Sequence, residues 1–376
     1  MTVADNQHSV LLENVYKLIN KKVGPDQVST ITNFSKILFK NIAQDDLDNR
    51  SDDDLYGATL SLWNEFVDYN NQAPFIRAFN PEISKHGWQS AHTIVEIIVN
   101  DMPFLVDSVR MTLNKMGITA HLLLHSPIAL CRDKHSKFVS FEDAADDKKG
   151  VMKQTVFLIE VDRQTSRQAL EKLTEELMSV VNDVTLAVQD WQPMRARLKD
   201  IISEFDKNQW PISNEDKAQT ENFLEWLNDH NFTLMGYRSY TAKGIKGDYR
   251  WVADNDSSLG LMKNSKTERE RVLSNIPASA RAEALSNNPL MLTKTNSRSR
   301  VHRPAYLDYV GIKRFDEAGK VVGEDRFIGL YSASFYNSSA TQLPVLQQKI
   351  DAISKLSGFD PGSHGHKAFL NIIETY

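Results

Sequence analysis

From Val10 to Val67, apolar side chains recur at helical spacing. Val10, Leu11, Val15, Leu18 and Ile19 make one face, and Ile31, Phe34, Ile37, Leu38 and Ile42 make a second. A third, with Leu55, Leu62, Trp63, Phe66 and Val67, comes after Ser51-Asp52-Asp53-Asp54, an acidic start that complements the positive end of a helix. Residues 8–69 are therefore predicted as helices, a structural lead-in packed against the next domain. The rhythm then changes. Thr93–Val99 reads as a strand, Asn100-Asp101 as a tight turn, and Pro103–Met116 as a helix with Pro103 in its first turn. Leu105, Val109, Leu113 and Met116 form the apolar stripe of that helix, and Gly117 ends it. A strand at Ile118–Leu130, a polar loop, a strand at Thr155–Val161, a helix at Ser166–Val181 and a short strand at Val184–Val188 complete a β-α-β-β-α-β order. This is the ferredoxin-like split unit, with both helices expected on one face of a four-stranded sheet.

Pro193–Phe205 continues as a connector helix, and Trp210-Pro211-Ile212-Ser213-Asn214 breaks the pattern. Beyond it the chain predicts a helix around Phe223–Leu227, a strand at Phe232–Thr241, and a pairing strand at Tyr249–Ala253 across a glycine-containing loop. A charge-dense stretch at Ser265–Leu285 reads as helical. Three strands come next, at Leu290–Thr295, Tyr306–Phe315 and Arg326–Phe335, with Asp316–Gly319 as the turn between the last two. Leu343–Ser357 reads as a closing helix. His366–Tyr376 has helical spacing that stops in mid-stride, as in a segment of a longer protein. The fold class is α+β, divided as a helical lead-in at 1–85, the βαββαβ domain at 86–192, a connector at 193–214, a mixed α+β domain at 215–342 and closing helices at 343–376.

Composition narrows the function classes. The chain is 41% hydrophobic and 25% charged, with a net charge of −5, which gives no footprint for nucleic acid or an anionic membrane. No apolar run reaches the roughly 20 residues of a membrane helix, no secretory signal opens the chain, and the single Cys131 fits a reducing cytoplasm. Cys131 itself reads as a small buried hydrophobe. No G-x-G-x-x-G occurs, so no dinucleotide fingerprint is present.

The string HTIVEIIVNDMPFLVDSV at 92–109 closely resembles the N-terminal regulatory region of the large bacterial NAD-specific glutamate dehydrogenases. NFTLMGYRSY at 231–240, residues 300–336 and SGFDPGSHGHKAFLNIIETY at 357–376 are similar to that family too. The resemblance implies a non-catalytic regulatory and assembly segment of an enzyme that oxidises L-glutamate to 2-oxoglutarate and ammonium with NAD. The catalytic lysine and the NAD domain would lie downstream, so no catalytic residue, metal or cofactor is expected here, with NAD bound by the parent alone. Partners would be the rest of the parent chain and its other subunits in a cytoplasmic homo-oligomer. The 86–192 domain resembles an ACT domain, a small-molecule sensing module, and 215–342 resembles a PAS-type module. In ACT domains amino-acid effectors often sit near the first strand–helix turn, which here is Asn100, Asp101, Met102, Pro103 and Phe104. This turn lacks the glycines common in such loops and carries an acid, so packing between domains competes with effector binding as its role. The alternatives are a free-standing homodimeric amino-acid sensor and, last, a complete enzyme using the His121/His125 face.

Other clusters have blander readings. His121 and His125, with Glu96 and Glu160 on neighbouring strands, would offer a zinc-like donor set if the register allowed; otherwise they form the sheet's open face. Arg298, Arg300, His302 and Arg303 form a basic cluster that would suit a phosphate, a nucleotide or nucleic acid, or else a solvated loop or a docking patch for an acidic surface elsewhere in the parent protein. Tyr306, Tyr309, Tyr331 and Tyr336 read as core and sheet residues. His230 and His302 are the only conceivable haem ligands of the second domain, and neither has supporting context.

Overall fold

A computed structural model describes residues 3–47, 50–70, 72–143, 150–207, 210–244, 249–264, 270–333, 335, 350, 353–356, 358–360 and 362–375. The chain forms two units, Met1–Val184 with Arg300–Arg303, and Thr185–Ser299 with Pro304–Tyr376.

In the first unit, helices α1 (Val3–Lys22), α2 (Pro25–Leu38), α3 (Gln44–Leu47) and α4 (Asp52–Asp68) lead into strand β1 (Phe75–Phe79) and the short α5 (Ile83–His86). Ser51 caps α4 by accepting the Asp54 N–H at 3.1 Å, as the acidic start predicts. Then come β2 (Thr93–Asn100), α6 (Leu105–Lys115), β3 (Ala120–Arg132), β4 (Phe138–Phe141), β5 (Met152–Val161) and α7 (Arg167–Gln189). The sheet order is β1-β2-β5-β3-β4. β2 and β3 both run antiparallel to β5, so they are parallel to each other, joined by the α6 crossover.

Two expectations change here. Val184–Val188 is not a strand; α7 runs on through it. Leu173, Leu177, Val180, Val181, Val184 and Ala187 are all buried at three- and four-residue spacing, and that helical stripe outweighs the β-branched composition. The edge position beside β2 belongs instead to β1, paired from Phe75↔Ile98 to Phe79↔Ile94, inside the stretch read as lead-in. The second change is at α6, which begins at Leu105 rather than Pro103. Phe104 sits before it with φ of 73°, a left-handed conformation that no helix can continue through.

The sheet is covered on the face expected to be open. Ile94, Ile98, Leu122, Leu124, Val156 and Leu158 form one core with Val15, Ile19, Phe34, Leu62, Trp63 and Phe66 of the lead-in helices. Residues of the opposite parity, Val95, Ile97, Phe157, Ile159 and Val161, are buried as well. A strand apolar on both faces therefore reads as a continuous hydrophobic run, which is the sequence signature of β2 and β5.

The second unit holds α8 (Trp191–Lys207), α9 (Asn214–Trp226), β6 (Phe232–Lys243), β7 (Arg250–Ala253), β8 (Leu259–Gly260), β9 (Glu270–Val272), α10 (Ala278–Ala284), β10 (Leu290–Arg298), β11 (Tyr306–Phe315), β12 (Val321–Tyr331) and α11 (His364–Thr375). Its sheet runs β10-β11-β12-β6-β7-β9, with β8 also on β6. Part of the stretch read as helical is thus a strand, at Glu270–Val272, which pairs with β7 from Arg250↔Val272 to Val252↔Glu270. The predicted Asp316–Gly319 turn is present. Asp316 Oδ1 accepts the N–H groups of Ala318 and Lys320 at 3.0 and 2.9 Å, and Gly319 supplies a φ of 74°. Most of the predicted 343–357 helix lies outside the described residues, as does Tyr336.

Candidate functional site

Asn100–Phe104 links β2 to α6. The Asp101 N–H donates to Lys153 O at 2.9 Å, and Ser108 Oγ donates to Phe104 O at 2.6 Å. No side chain among the described residues caps α6, so the N–H groups of its first turn keep an anion-attracting face. One side of the turn is occupied. The His302 ring lies 4.8 Å from that of Phe104, and the His302 backbone N–H donates to Ser108 Oγ at 3.2 Å. Both His302 and His125, which has Asp101 near it, are held below the usual histidine pKa mainly by burial. The rest of the predicted basic cluster is largely engaged. Arg300 meets Glu176 at 3.3 Å, Ser179 Oγ at 3.0 Å and Asp183 at 3.7 Å, while Arg298 lies over the Tyr306 ring. The acidic partner of Arg300 is thus a helix of this same chain, Arg167–Gln189.

The His/Glu set is not assembled. A bulge between Ala120 and Leu122 displaces His121 from the alternation, and His125 pairs with Phe157 on the opposite face from Glu96 and Glu160. Glu96 and Glu160 do share a face, but each has its own arginine. Arg77 gives Glu96 bonds of 2.6 and 3.2 Å, and Ser61 donates another at 2.7 Å. Glu96 has no exposed surface, and its carboxyl pKa is raised, chiefly by burial. Arg50 grips Glu160 through Nε at 3.1 Å and Nη2 at 2.6 Å, a bidentate fork. His92 lies 3.4 Å from Glu160 and stacks on His121 at 4.3 Å, while His121 Nε2 is 2.8 Å from Asp162. Among the described residues no three His, Cys, Asp or Glu side chains are arranged to hold a metal ion.

Of these groups Arg50, His92 and Glu160 line a cavity of about 270 Å³, which sequence reasoning missed. Its lining combines Arg50, Asp54, His92 and Glu160 with an apolar floor that includes Leu55, Ala58 and Trp88. It lies at the Thr93 end of β2, whereas Asn100–Phe104 is at the other end. Only the acidic Ser51–Asp54 start pointed toward it in the sequence, because Arg50 and Glu160 stand 110 residues apart.

Residues 34–177 match the family model for the glutamate dehydrogenase ACT1 domain, and residues 343–376 match glutamate dehydrogenase helical motif 1. The chain is 33% identical over 368 residues to an NAD-specific glutamate dehydrogenase of Halomonas elongata, covering 97% of this chain and 23% of that protein. It is 32% identical over 374 residues to the Pseudomonas aeruginosa NAD-specific glutamate dehydrogenase, covering 99% of this chain and again 23% of the relative. The chain carries glutamate dehydrogenase ACT1 and helical-motif segments. It spans less than a quarter of the length of these relatives.

The ACT1 match starts within α2 and includes α4, so it takes in helices that cover the sheet and not the sheet alone. Outside it, the second unit buries charge. Asp325, 1% exposed, accepts from Arg314 Nη1 at 2.8 Å, from the Tyr237 hydroxyl and, at 3.4 Å, from Arg197 Nη2. On the other face of that sheet, Glu324 accepts from Arg326 at 3.1 Å and from the Tyr309 hydroxyl, with the Arg326 guanidinium 3.7 Å from the Tyr240 ring. Burial and the adjacent carboxylates hold both tyrosines, Tyr237 and Tyr309, above the usual phenol pKa. No helix among the described residues is long and apolar enough to cross a membrane.

Proposed function

We propose that this chain is the regulatory and assembly segment of an NAD-dependent glutamate dehydrogenase, itself without turnover. The parent would convert L-glutamate, NAD and water to 2-oxoglutarate, ammonium and NADH in the cytoplasm, as a homo-oligomer. One observation carries the reading: nearly the whole chain is similar to NAD-specific glutamate dehydrogenases of which it spans 23%, and residues 34–177 match an ACT1 domain. NAD would belong to the remainder of the parent.

Within this reading, Asn100, Asp101, Met102, Pro103 and Phe104 are the proposed contact for an amino-acid effector. The uncapped start of α6 favours a carboxylate there, and Asp101 would answer an ammonium. The domain division at 86–192 and 215–342 is kept as part of the proposal. A PAS-like description of the second domain is supported by the placing of its first and last long strands, β6 and β12, side by side within an antiparallel sheet. Calorimetric titration of the purified chain with a panel of amino acids, 2-oxoglutarate and NAD tests the reading. Saturable amino-acid binding abolished by Asp101→Ala or Phe104→Ala is the expected result. Silence toward every amino acid would remove the effector role and leave assembly, and NAD-linked glutamate oxidation by this chain alone would overturn the reading.

A further inference from the structure

The cavity beneath α4 is a separate feature from the turn, and it has the composition of a binding site, with an apolar floor and a few convergent polar groups. At about 270 Å³ it falls just below the roughly 300–1,000 Å³ of drug-sized ligand sites, and it suits a molecule of amino-acid size. Its charges are only partly used. Arg50 and Glu160 are 16% and 13% exposed, so their pair is largely removed from water. Yet the Arg50 fork spends only Nε and Nη2 on Glu160, and among the described residues the Nη1 hydrogens have no acceptor. Asp54 accepts from Ser51 through Oδ2 at 2.7 Å, and Oδ1 has no donor among the described residues. Arg50, with one guanidinium nitrogen uncommitted, and Asp54, with one carboxylate oxygen uncommitted, thus line the same cavity as Leu55, Ala58, Trp88 and Leu158.

We infer that this cavity binds a small zwitterion with an apolar body, namely an apolar L-α-amino acid. Its carboxylate would take Arg50 Nη1, its ammonium Asp54 Oδ1 beside Glu160, and its side chain the apolar floor. A simple anion would meet Asp54 and Glu160, and a simple cation would leave Arg50 Nη1 unanswered, so the arrangement selects for both charges together. The inference stands apart from the effector role proposed for Asn100–Phe104, at the opposite end of β2.

The test is calorimetry on the whole chain with L-leucine, and in parallel with 4-methylpentanoate, which lacks the ammonium, and isoamylamine, which lacks the carboxylate. L-Leucine is expected to bind saturably, and each truncated analogue at least tenfold more weakly. Asp54→Asn should weaken L-leucine tenfold or more while the Ser51 cap on the backbone N–H remains. Ala58→Met, which fills the floor, should abolish binding. Circular dichroism and thermal melting of each variant separate lost binding from lost folding, and Asp54→Asn, on a partly exposed residue, is the variant expected to fold normally. The inference is overturned if L-leucine does not bind, or if the analogues bind equally well. It is also overturned if binding survives Asp54→Asn but disappears with Asp101→Ala, which would place the amino acid at the turn.

Discussion

The two sheets of this chain solve burial in opposite ways. In the first unit, β2 and β5 present apolar side chains to both faces, and each largely buried carboxylate on the sheet, Glu96 or Glu160, has one arginine as its principal partner. In the second unit the long central strands carry charge into both faces. Asp325 is shared by Arg197, Arg314 and Tyr237, and Glu324 by Arg326 and Tyr309. Burying such networks costs desolvation that the pairing must offset, and they rarely stabilise more than apolar packing would. What they add is geometry, because each member is fixed by several others. Arg238 shows the limit of that arrangement. It sits directly across from Arg326, is 2% exposed, and keeps its Nη1 without an acceptor among the described residues.

The largest expected effect breaks the charged network. Asp325→Ala leaves two arginines and a tyrosine facing a hole, and removing one partner of a buried ion pair typically costs about 3–5 kcal/mol. Hydrogen exchange read by mass spectrometry should show faster exchange in β6, β11 and β12, with β2 and β5 unchanged. Equal protection of β11 and β12 in the variant would mean that the network is dispensable. Next comes Gly57, inside α4. Alanine is ordinarily the better helix residue by roughly 1 kcal/mol, yet a Cβ here would overlap the Trp88 side chain. Gly57→Ala is therefore expected to destabilise the first unit by about 1–3 kcal/mol through overpacking. A raised melting temperature would show that Trp88 moves aside freely. Smaller still is Ile159→Val at a fully buried position of β5, expected to cost about 0.5–1.5 kcal/mol and to leave exchange in the second unit unchanged.

The same contrast decides how much of the molecule was readable in advance. Burial by apolar side chains leaves a periodic trace, so β2, α6, β3, β5, β6 and β11 could be read with ends shifted by a few residues. The trace misled where both periods fit: Val184–Val188 looks like a strand in isolation, but it continues the stripe set by Leu173 and Leu177 in α7. Paired charges leave no trace. Arg197 and Asp325 are 128 residues apart, and nothing local marks either as buried. The cavity was hidden for the same reason, since its rim joins Arg50 to Glu160. The His/Glu set failed because a bulge displaces His121 and the register puts His125 on the face opposite Glu96 and Glu160, neither of which sequence alternation can show.

The smallest predicted effects lie in the pH limbs of stability, and they carry opposite signs in the two units. His125 in the first unit has its pKa lowered below 6.5 by burial, with Asp101 opposing. The unfolded chain therefore takes up its proton first, and stability from this group is lost as pH falls from about 6.5 through the folded value. Tyr237 and Tyr309 in the second unit have pKa values raised above 10, so their protons leave the unfolded chain first. Stability from these groups is full below about pH 10 and falls as pH rises through the folded values. Denaturation monitored by hydrogen exchange from pH 5 to 11 should show His125→Gln flattening the acid limb in β3 and β5 only. Tyr237→Phe should flatten the alkaline limb in β6 and β12 only, at the cost of its hydrogen bond to Asp325. An acid limb in β3 that ignored His125 would transfer that role to another group, and Glu96 is excluded by sign. Its raised carboxyl pKa predicts the reverse slope, with stability lost as pH rises. The direction of the limb therefore separates the two groups even where its size does not.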